Sequence, residues 1–257
     1  MAAWLGAWLA GRVSSDDMLA AVQVGDAPHQ VVGLEGEAGP VPLARVLPHV
    51  RRLGPAAVQL RMPVPGDVDG LSGPLLGAAL EVGEVVVISP HDPRRTGLVL
   101  LPRRDVRGSA IEPLVTVAWE AQPSDARPGH GPGTPSGLRE AERGLAAAVA
   151  EAAATLVDIG QVSRLSPQAQ AAIRALRDRQ GAPLGLPAGS PPEAVRVLTT
   201  AERLAAVVEL AVDNQPLSAA ADARRAAALR QVATAVRHAR RYAYTACADG
   251  STPAGQA

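Results

Sequence analysis

The residues best suited to chemistry lie in a turn-rich segment, 63–74, in which acidic side chains alternate with glycines. Asp67 and Asp69 could orient a hydroxyl group or a cation, and Gly66 and Gly70 would let a ligand approach the backbone closely. The segment follows a predicted strand and precedes a predicted helix, a location at which α/β proteins often bind ligands. An EF-hand calcium loop is excluded, because the glycine and glutamate of that motif are missing.

Side chains from two neighbouring segments could complete a site there. Arg61 ends the strand before the loop, and His91 follows the next buried run of the chain. Together with the loop they could serve a small-molecule enzyme or a ligand sensor. The alternative is structural: the loop only makes turns, and His91 belongs to a hairpin turn. Both interpretations stay open. The ligand-binding candidates are Arg61, Gly66, Asp67, Asp69, Gly70 and His91.

Composition excludes many classes of enzyme. All 25 cationic side chains apart from histidine are arginine. P-loop lysines, kinase lysines, Schiff bases and Ser-x-x-Lys nucleophiles therefore cannot occur. The five histidines have neither His-x-His nor His-Glu-x-x-His spacing. We assign no catalytic residue, metal ligand or cofactor, and we favour a non-enzymatic protein while leaving enzymatic activity open.

The cysteine count and the N-terminal segment favour the cytosol. Cys247 is the only cysteine, which rules out internal disulfides and is typical of a reducing compartment. The apolar stretch 1–11 is too short to span a bilayer and lacks a preceding cationic region. The formal net charge of zero argues against general binding to nucleic acid or anionic membranes. We expect a cytoplasmic protein without membrane contact. The sequence makes no prediction about its oligomeric state.

A run of arginines on the last predicted helix is a candidate surface for an acidic partner. Arg237, Arg240 and Arg241 lie close together along this helix. Electrostatic binding through them would depend strongly on salt concentration. The alternative is internal pairing, because a tight hairpin with the preceding helix would bring Glu202 near Arg230.

Helix and strand signals alternate in the first half of the chain. Apolar alternation and β-branched runs predict five strands, at Gln30–Leu34, Ala57–Met62, Val85–Ser89, Thr96–Leu101 and Pro113–Glu120. The polar segment Pro102–Gly108 is expected to separate the last two strands. Helices are predicted at 3–11, from Ser14 or Ser15 onward, at 41–53 and at 75–82.

The second half is rich in alanine and helical throughout. Its helices are predicted at 136–160, 166–181, 190–213 and 217–246. The predicted fold class is α+β: a small mixed α/β N-terminal domain of about five strands, followed by an all-α C-terminal four-helix domain. The expected boundaries are 1–121 for the first domain, 122–135 for a Pro/Gly-rich linker, 136–248 for the helical bundle and 249–257 for a disordered tail.

One part of the chain resembles known sequences. The stretch Leu60–Pro74 (LRMPVPGDVDGLSGP), followed by Ala78–Glu84 (AALEVGE), resembles a segment of uncharacterised proteins from high-GC actinobacteria, and Leu9–Arg12 fits the same resemblance. The resemblance implies a bacterial cytosolic setting and no particular activity. The absence of lysine and phenylalanine supports a GC-rich genome independently, because their codons are AT-rich.

These observations favour a non-enzymatic accessory or interaction protein. The helical half would bind another protein, and the α/β half would be a scaffold or a small ligand-binding module. A small-molecule enzyme or sensor using the Pro63–Pro74 loop is the first alternative. An electrostatic binder of an acidic partner through the last helix is the second.

Overall fold

The computed structural model describes residues 1–23, 27–54, 56–109, 113–126, 135–159, 184–212 and 219–250. Across these residues the chain is mixed α+β, with a six-stranded mixed sheet and seven α-helices. It divides into two compact units. One comprises Met1–Pro132, Gly185–Pro191 and Tyr244–Ala257, and the other comprises Gly133–Leu184 and Pro192–Ala243.

The sheet lies in the first unit and contains the five predicted strands and a short sixth. The strands are β1 (Gln30–Val32), β2 (Val41–Pro42), β3 (Ala56–Arg61), β4 (Val85–Pro90), β5 (Gly97–Gly108) and β6 (Pro113–Ser124). Their order across the sheet is β2-β1-β6-β5-β4-β3, and only β1 and β6 pair in parallel.

The break predicted at Pro102–Gly108 is wrong, because these residues continue β5. They pair with the first half of β6 through to Gly108 opposite Pro113. Polar side chains are tolerated there since the outer half of β5 is exposed to solvent. β6 likewise continues to Ser124, into the segment predicted as a linker, whose residues 127–134 lie outside the described part of the chain.

Four helices belong to the same unit. They are α1 (Ala2–Leu9), α2 (Ser15–Val22), α3 (Val46–Leu53) and α4 (Leu75–Val82). The Ser14 hydroxyl accepts a hydrogen bond from the Asp17 amide at 3.0 Å and caps α2, as its sequence predicts. The helix expected at 41–53 is shorter. Pro42 lies in β2, and Pro48 falls in the first turn of α3, where proline is tolerated.

Apolar side chains fill both faces of the sheet. Helices α1, α2 and α3 contribute to a core on one face, with fully buried Leu5, Met18 and Val50 packed beside Leu100 of β5. Leu75 and Ala79 of α4 pack against Val99 and Leu101 on the other face. Alternation along β5 therefore supplies both cores, because neighbouring residues of a strand point to opposite faces.

The second unit consists of helices in its described part. They are α5 (Leu138–Asp158), α6 (Pro192–Val212) and α7 (Ala219–Asp249), of which α7 continues into the first unit from Tyr244. Arg139 lies 3.6 Å from Glu193, and Arg196 forms an ion pair with Glu142. Since both pairs join the beginnings of α5 and α6, these helices run in the same direction.

Helix α7 runs antiparallel to α5. Arg224, near its beginning, forms an ion pair with Asp158 at the end of α5, and the Tyr242 hydroxyl donates to the carbonyl of Pro135, which precedes α5. The fourth helix, predicted at 166–181, lies outside the described residues. No helix in the described ranges combines the length and the apolar character needed to cross a membrane.

The end of α7 packs against α1 within the first unit. Gly6 contacts Ala248 so closely that a Cβ atom on Gly6 would lie 2.5 Å from the Cβ of Ala248. The Arg12 guanidinium donates to the carbonyls of Cys247 at 2.8 Å and of Ala248 at 2.6 Å. These bonds satisfy terminal carbonyls of α7, and a cation at a helix C-terminus also interacts favourably with the helix dipole.

Candidate functional site

The 63–74 loop is held by a buried ion pair between two of the residues predicted to bind a ligand. The Arg61 and Asp69 side chains are 3% and 5% exposed, and Nη1 of Arg61 lies 3.5 Å from Oδ1 of Asp69. Arg61 also donates to the Asp69 carbonyl at 3.1 Å and to Gln59 Oε1 at 2.7 Å. Asp69 Oδ2 accepts a hydrogen bond from the Met62 amide at 2.8 Å. Both charges therefore fasten the loop to the end of β3.

The other loop residues shape the turn. Oδ1 of Asp67 accepts a hydrogen bond from the Asp69 amide at 3.2 Å. Asp69 has a φ of 50°, and Gly66 and Gly70 have φ values of 89° and 73°. Residues other than glycine, asparagine and aspartate seldom adopt positive φ values. The glycines are thus explained by backbone conformation alone.

His91 follows the end of β4, and Arg61 lies at the opposite end of the paired strands β3 and β4. Arg61 pairs with Val85, whereas Pro90 pairs with Ala56, five residues along the strand, or roughly 17 Å away. The structure therefore does not bring His91 together with the loop. Asp249 is a different case: burial raises the pKa of its carboxyl group, and the opposing effects of Arg12 and His91 are weaker.

Cys247 is placed where a nucleophile would be ineffective. Its side chain is fully buried at the end of α7. Burial raises the pKa of this thiol, and the opposing effects of a hydrogen bond with Ser190 and of the Arg12 charge are smaller. A thiol with a raised pKa carries little thiolate at neutral pH, so Cys247 is suited to packing.

A cavity of about 570 Å³ lies beside α3, and two polar side chains of its lining, His49 and Arg95, are engaged in holding the fold. The two ring nitrogens of His49 lie 3.1 Å from the Arg45 carbonyl oxygen and 2.8 Å from that of Glu35. Arg95 donates to the Leu53 carbonyl at 2.8 Å and so caps the C-terminus of α3.

The predicted arginine surface of α7 is largely used within the protein. Arg240 donates to Oε1 of Glu202 at 2.8 Å, ten residues beyond Arg230, where the pairing had been expected. Arg241 is 3% exposed, and its guanidinium lies 5.0 Å from the ring centre of Tyr242. Arg237 is half-buried and also engaged in an internal interaction.

A different surface of α7 lines an open groove beside α5. The groove has a volume of about 540 Å³. Small residues make up much of it, including Ala141 and Gly144 from α5. Polar side chains of α7 complete the lining, among them Arg230, Thr234 and His238. Arg230 is exposed and forms no ion pair within the described ranges.

We call this surface the α5–α7 groove, and none of its lining residues is among the site residues predicted from the sequence. Arg230, Thr234 and His238 recur every four residues, a signal that could have placed them on one helical face. Which α5 residues lie opposite them depends on packing. In the part of the chain that the structure describes, no three metal-binding side chains cluster in a way that could hold an ion.

Comparison with known proteins gives a family and no activity. Residues 1–130 match the family model described as "Rv1486c-like protein, N-terminal domain", and residues 139–241 match that of the C-terminal domain. Two relatives from Mycobacterium tuberculosis are each 30% identical over 97% of this chain and 96% of their own length. They are described as "Uncharacterized protein Rv1486c" from strain H37Rv and "Uncharacterized protein MT1533" from strain CDC 1551. No solved structure matches.

Proposed function

Because the chain belongs to the Rv1486c-like family, whose matched models and relatives indicate no specific activity, we propose a function from its geometry. The protein is a non-enzymatic accessory protein whose helical unit binds an acidic segment of another protein. The α5–α7 groove is the observation that carries this proposal.

The lining of the α5–α7 groove favours a helical partner segment. The groove lining contains four residues with small side chains: Ala141, Gly144, Ala227 and Ala235. Because these residues project little from α5 and α7, a helix of the partner could approach both closely. Polar side chains of α7 along the groove could bond to its polar face. An amphipathic helix with small apolar residues on one side matches this shape.

Charge favours an acidic segment. Arg230 is exposed in the groove lining, and no acidic residue lines the groove with it among the described residues. Residues 136–257 carry 14 arginines against 11 acidic residues, so the local balance is also positive. A glutamate or aspartate from the partner would supply the missing counter-charge, and bidentate pairing would fix its position.

The competing enzyme hypothesis has less support. Its two central charges, Arg61 and Asp69, are buried against each other, and His91 lies at the far end of the paired strands β3 and β4. A catalytic group must come within hydrogen-bond reach of its substrate. Cytosolic location remains part of the proposal and is supported by the single, buried cysteine.

The test uses two synthetic helical peptides that share small apolar residues and differ only in carrying glutamate or lysine on the polar face. We expect the glutamate peptide to bind, with an affinity that falls as salt is added. Arg230→Glu should weaken binding by about tenfold, since charge repulsion replaces the new ion pair. Fluorescence anisotropy of the labelled peptides measures this.

Arg203→Glu is the matched control, because Arg203 is exposed on α6 and does not line the groove. It should leave the affinity unchanged. Equal binding of the two peptides, no binding of either, or equal losses for Arg203→Glu and Arg230→Glu would contradict the proposal.

A further inference from the structure

The outer halves of β5 and β6 form a two-stranded ribbon. Their pairing continues to Gly108 opposite Pro113, whereas β4 pairs with β5 only at Leu98, Val99 and Leu100. Beyond these residues, no strand in the described part of the chain covers the outer edge of β5. Such an edge presents unpaired main-chain groups, to which another strand can add.

The main-chain groups of Val106 point toward this open edge. Val106 lies directly opposite Val115 on β6, and the Val115 carbonyl accepts a hydrogen bond from the Ala27 amide, on the side of β6 away from β5. In an antiparallel pair, the main-chain N–H and C=O groups of two directly opposed residues either bond to each other or point away from the partner strand. The N–H and C=O of Val106 are therefore directed outward, ready to bond to an added strand.

The side chains at this edge are complementary to a second copy of the same strand. Val106 is 62% exposed, an unusually high value for a large hydrophobic side chain in a strand. Its neighbours Asp105 and Arg107 form an exposed ion pair at 2.6 Å. In an antiparallel pair with its twofold axis at Val106, each Asp105 lies opposite the partner's Arg107, and the two valines face each other.

Other positions of the axis are unfavourable. With the axis at Asp105, the two aspartates would lie opposite each other, and Arg103 would face the partner's Arg107. With the axis at Arg104, the two Arg104 side chains would meet. Like charges directly opposite each other destabilise a sheet. Charges on an edge strand often prevent association, but here their order selects one register.

We propose that the chain forms a homodimer by antiparallel pairing of its β5 edges, with the twofold axis at Val106. Each Val106 exchanges two main-chain hydrogen bonds with the partner's Val106. The two aspartates and two arginines alternate in charge on one face of the joined ribbons. The interface is independent of the α5–α7 groove, because the two involve different residues.

Analytical ultracentrifugation of the full chain tests the proposal. The protein should sediment as a dimer in reversible equilibrium with monomer. Val106→Asp should weaken dimerisation by about tenfold or more, because two carboxylates would then face each other. The monomer should keep its circular dichroism spectrum since residue 106 is exposed.

A charge exchange tests the register. Asp105→Arg places arginine opposite arginine and should abolish the dimer, whereas the double variant Asp105→Arg/Arg107→Asp restores opposite charges and should recover it. Val207→Asp, at an exposed valine on α6, is the control and should stay dimeric. A monomeric wild-type protein, or a double variant that stays monomeric, would overturn the proposal.

Discussion

Asp69→Asn should lower the free energy of unfolding by about 3 kcal/mol. The change removes the negative charge and leaves the guanidinium of Arg61 buried without its counter-charge. Asparagine keeps an oxygen for the Met62 amide and tolerates the positive φ of this position, so the loss reports mainly on the ion pair. Urea unfolding measures it. All three tryptophans, Trp4, Trp8 and Trp119, lie in the α/β unit, and their fluorescence follows its unfolding.

Two comparisons make this result specific. Glu37→Gln removes an ion pair with Arg45, a side chain that is 60% exposed, and should cost at most about 1 kcal/mol. Arg61→Met combined with Asp69→Asn should recover part of the loss, because no uncompensated charge then remains buried. If Asp69→Asn lowers the free energy of unfolding no more than Glu37→Gln does, the Arg61–Asp69 ion pair does not fasten the loop. Arg61 and Asp69 would then again be candidates for binding a ligand.

Gly6→Ala should lower the free energy of unfolding by about 1–3 kcal/mol. Alanine normally stabilises the interior of a helix relative to glycine by about 1 kcal/mol. Here its methyl group would lie 2.6 Å from the Cα and 2.7 Å from the carbonyl oxygen of Ala248, so the end of α7 must shift. The clash outweighs the helix preference because backbone atoms cannot rotate away.

Gly77→Ala is the matched control in the same unit. Gly77 lies in α4, and a Cβ there would meet nothing within 4 Å. It should therefore stabilise the protein by up to about 1 kcal/mol. The same substitution is thus expected to have opposite signs at two helical glycines. If both variants are stabilised, α1 and the end of α7 do not pack as described.

Much of the sheet could be predicted because its signals are local. The β-branched run at Val85–Ser89 and the alternation in Ala57–Met62 gave two strands close to their observed bounds. The outer half of β5 could not be predicted, because its arginines resemble a polar loop. Only pairing with β6 identifies it as strand, and that pairing is not local.

The roles of charged residues were harder to predict than their positions. Arg61 and Asp69 were singled out for a ligand, but residue types in a glycine-rich loop do not reveal whether a charge is buried against its neighbour. The sequence predicts that Glu202 lies near Arg230, whereas its observed partner is Arg240, ten residues further along α7. This prediction is wrong because the register between two helices depends on packing along their whole length.

Binding of a partner at the α5–α7 groove is the central claim. Photocrosslinking in cells that naturally make the protein tests it most directly. A photoreactive amino acid replaces either Thr234, which lines the groove, or the exposed Ala233, which does not and points about 100° away on the same helix. The account predicts one discrete adduct from position 234, attached to an acidic segment of another protein and lost with Arg230→Glu. Identical adducts from both positions, or an adduct that persists with Arg230→Glu, would contradict it.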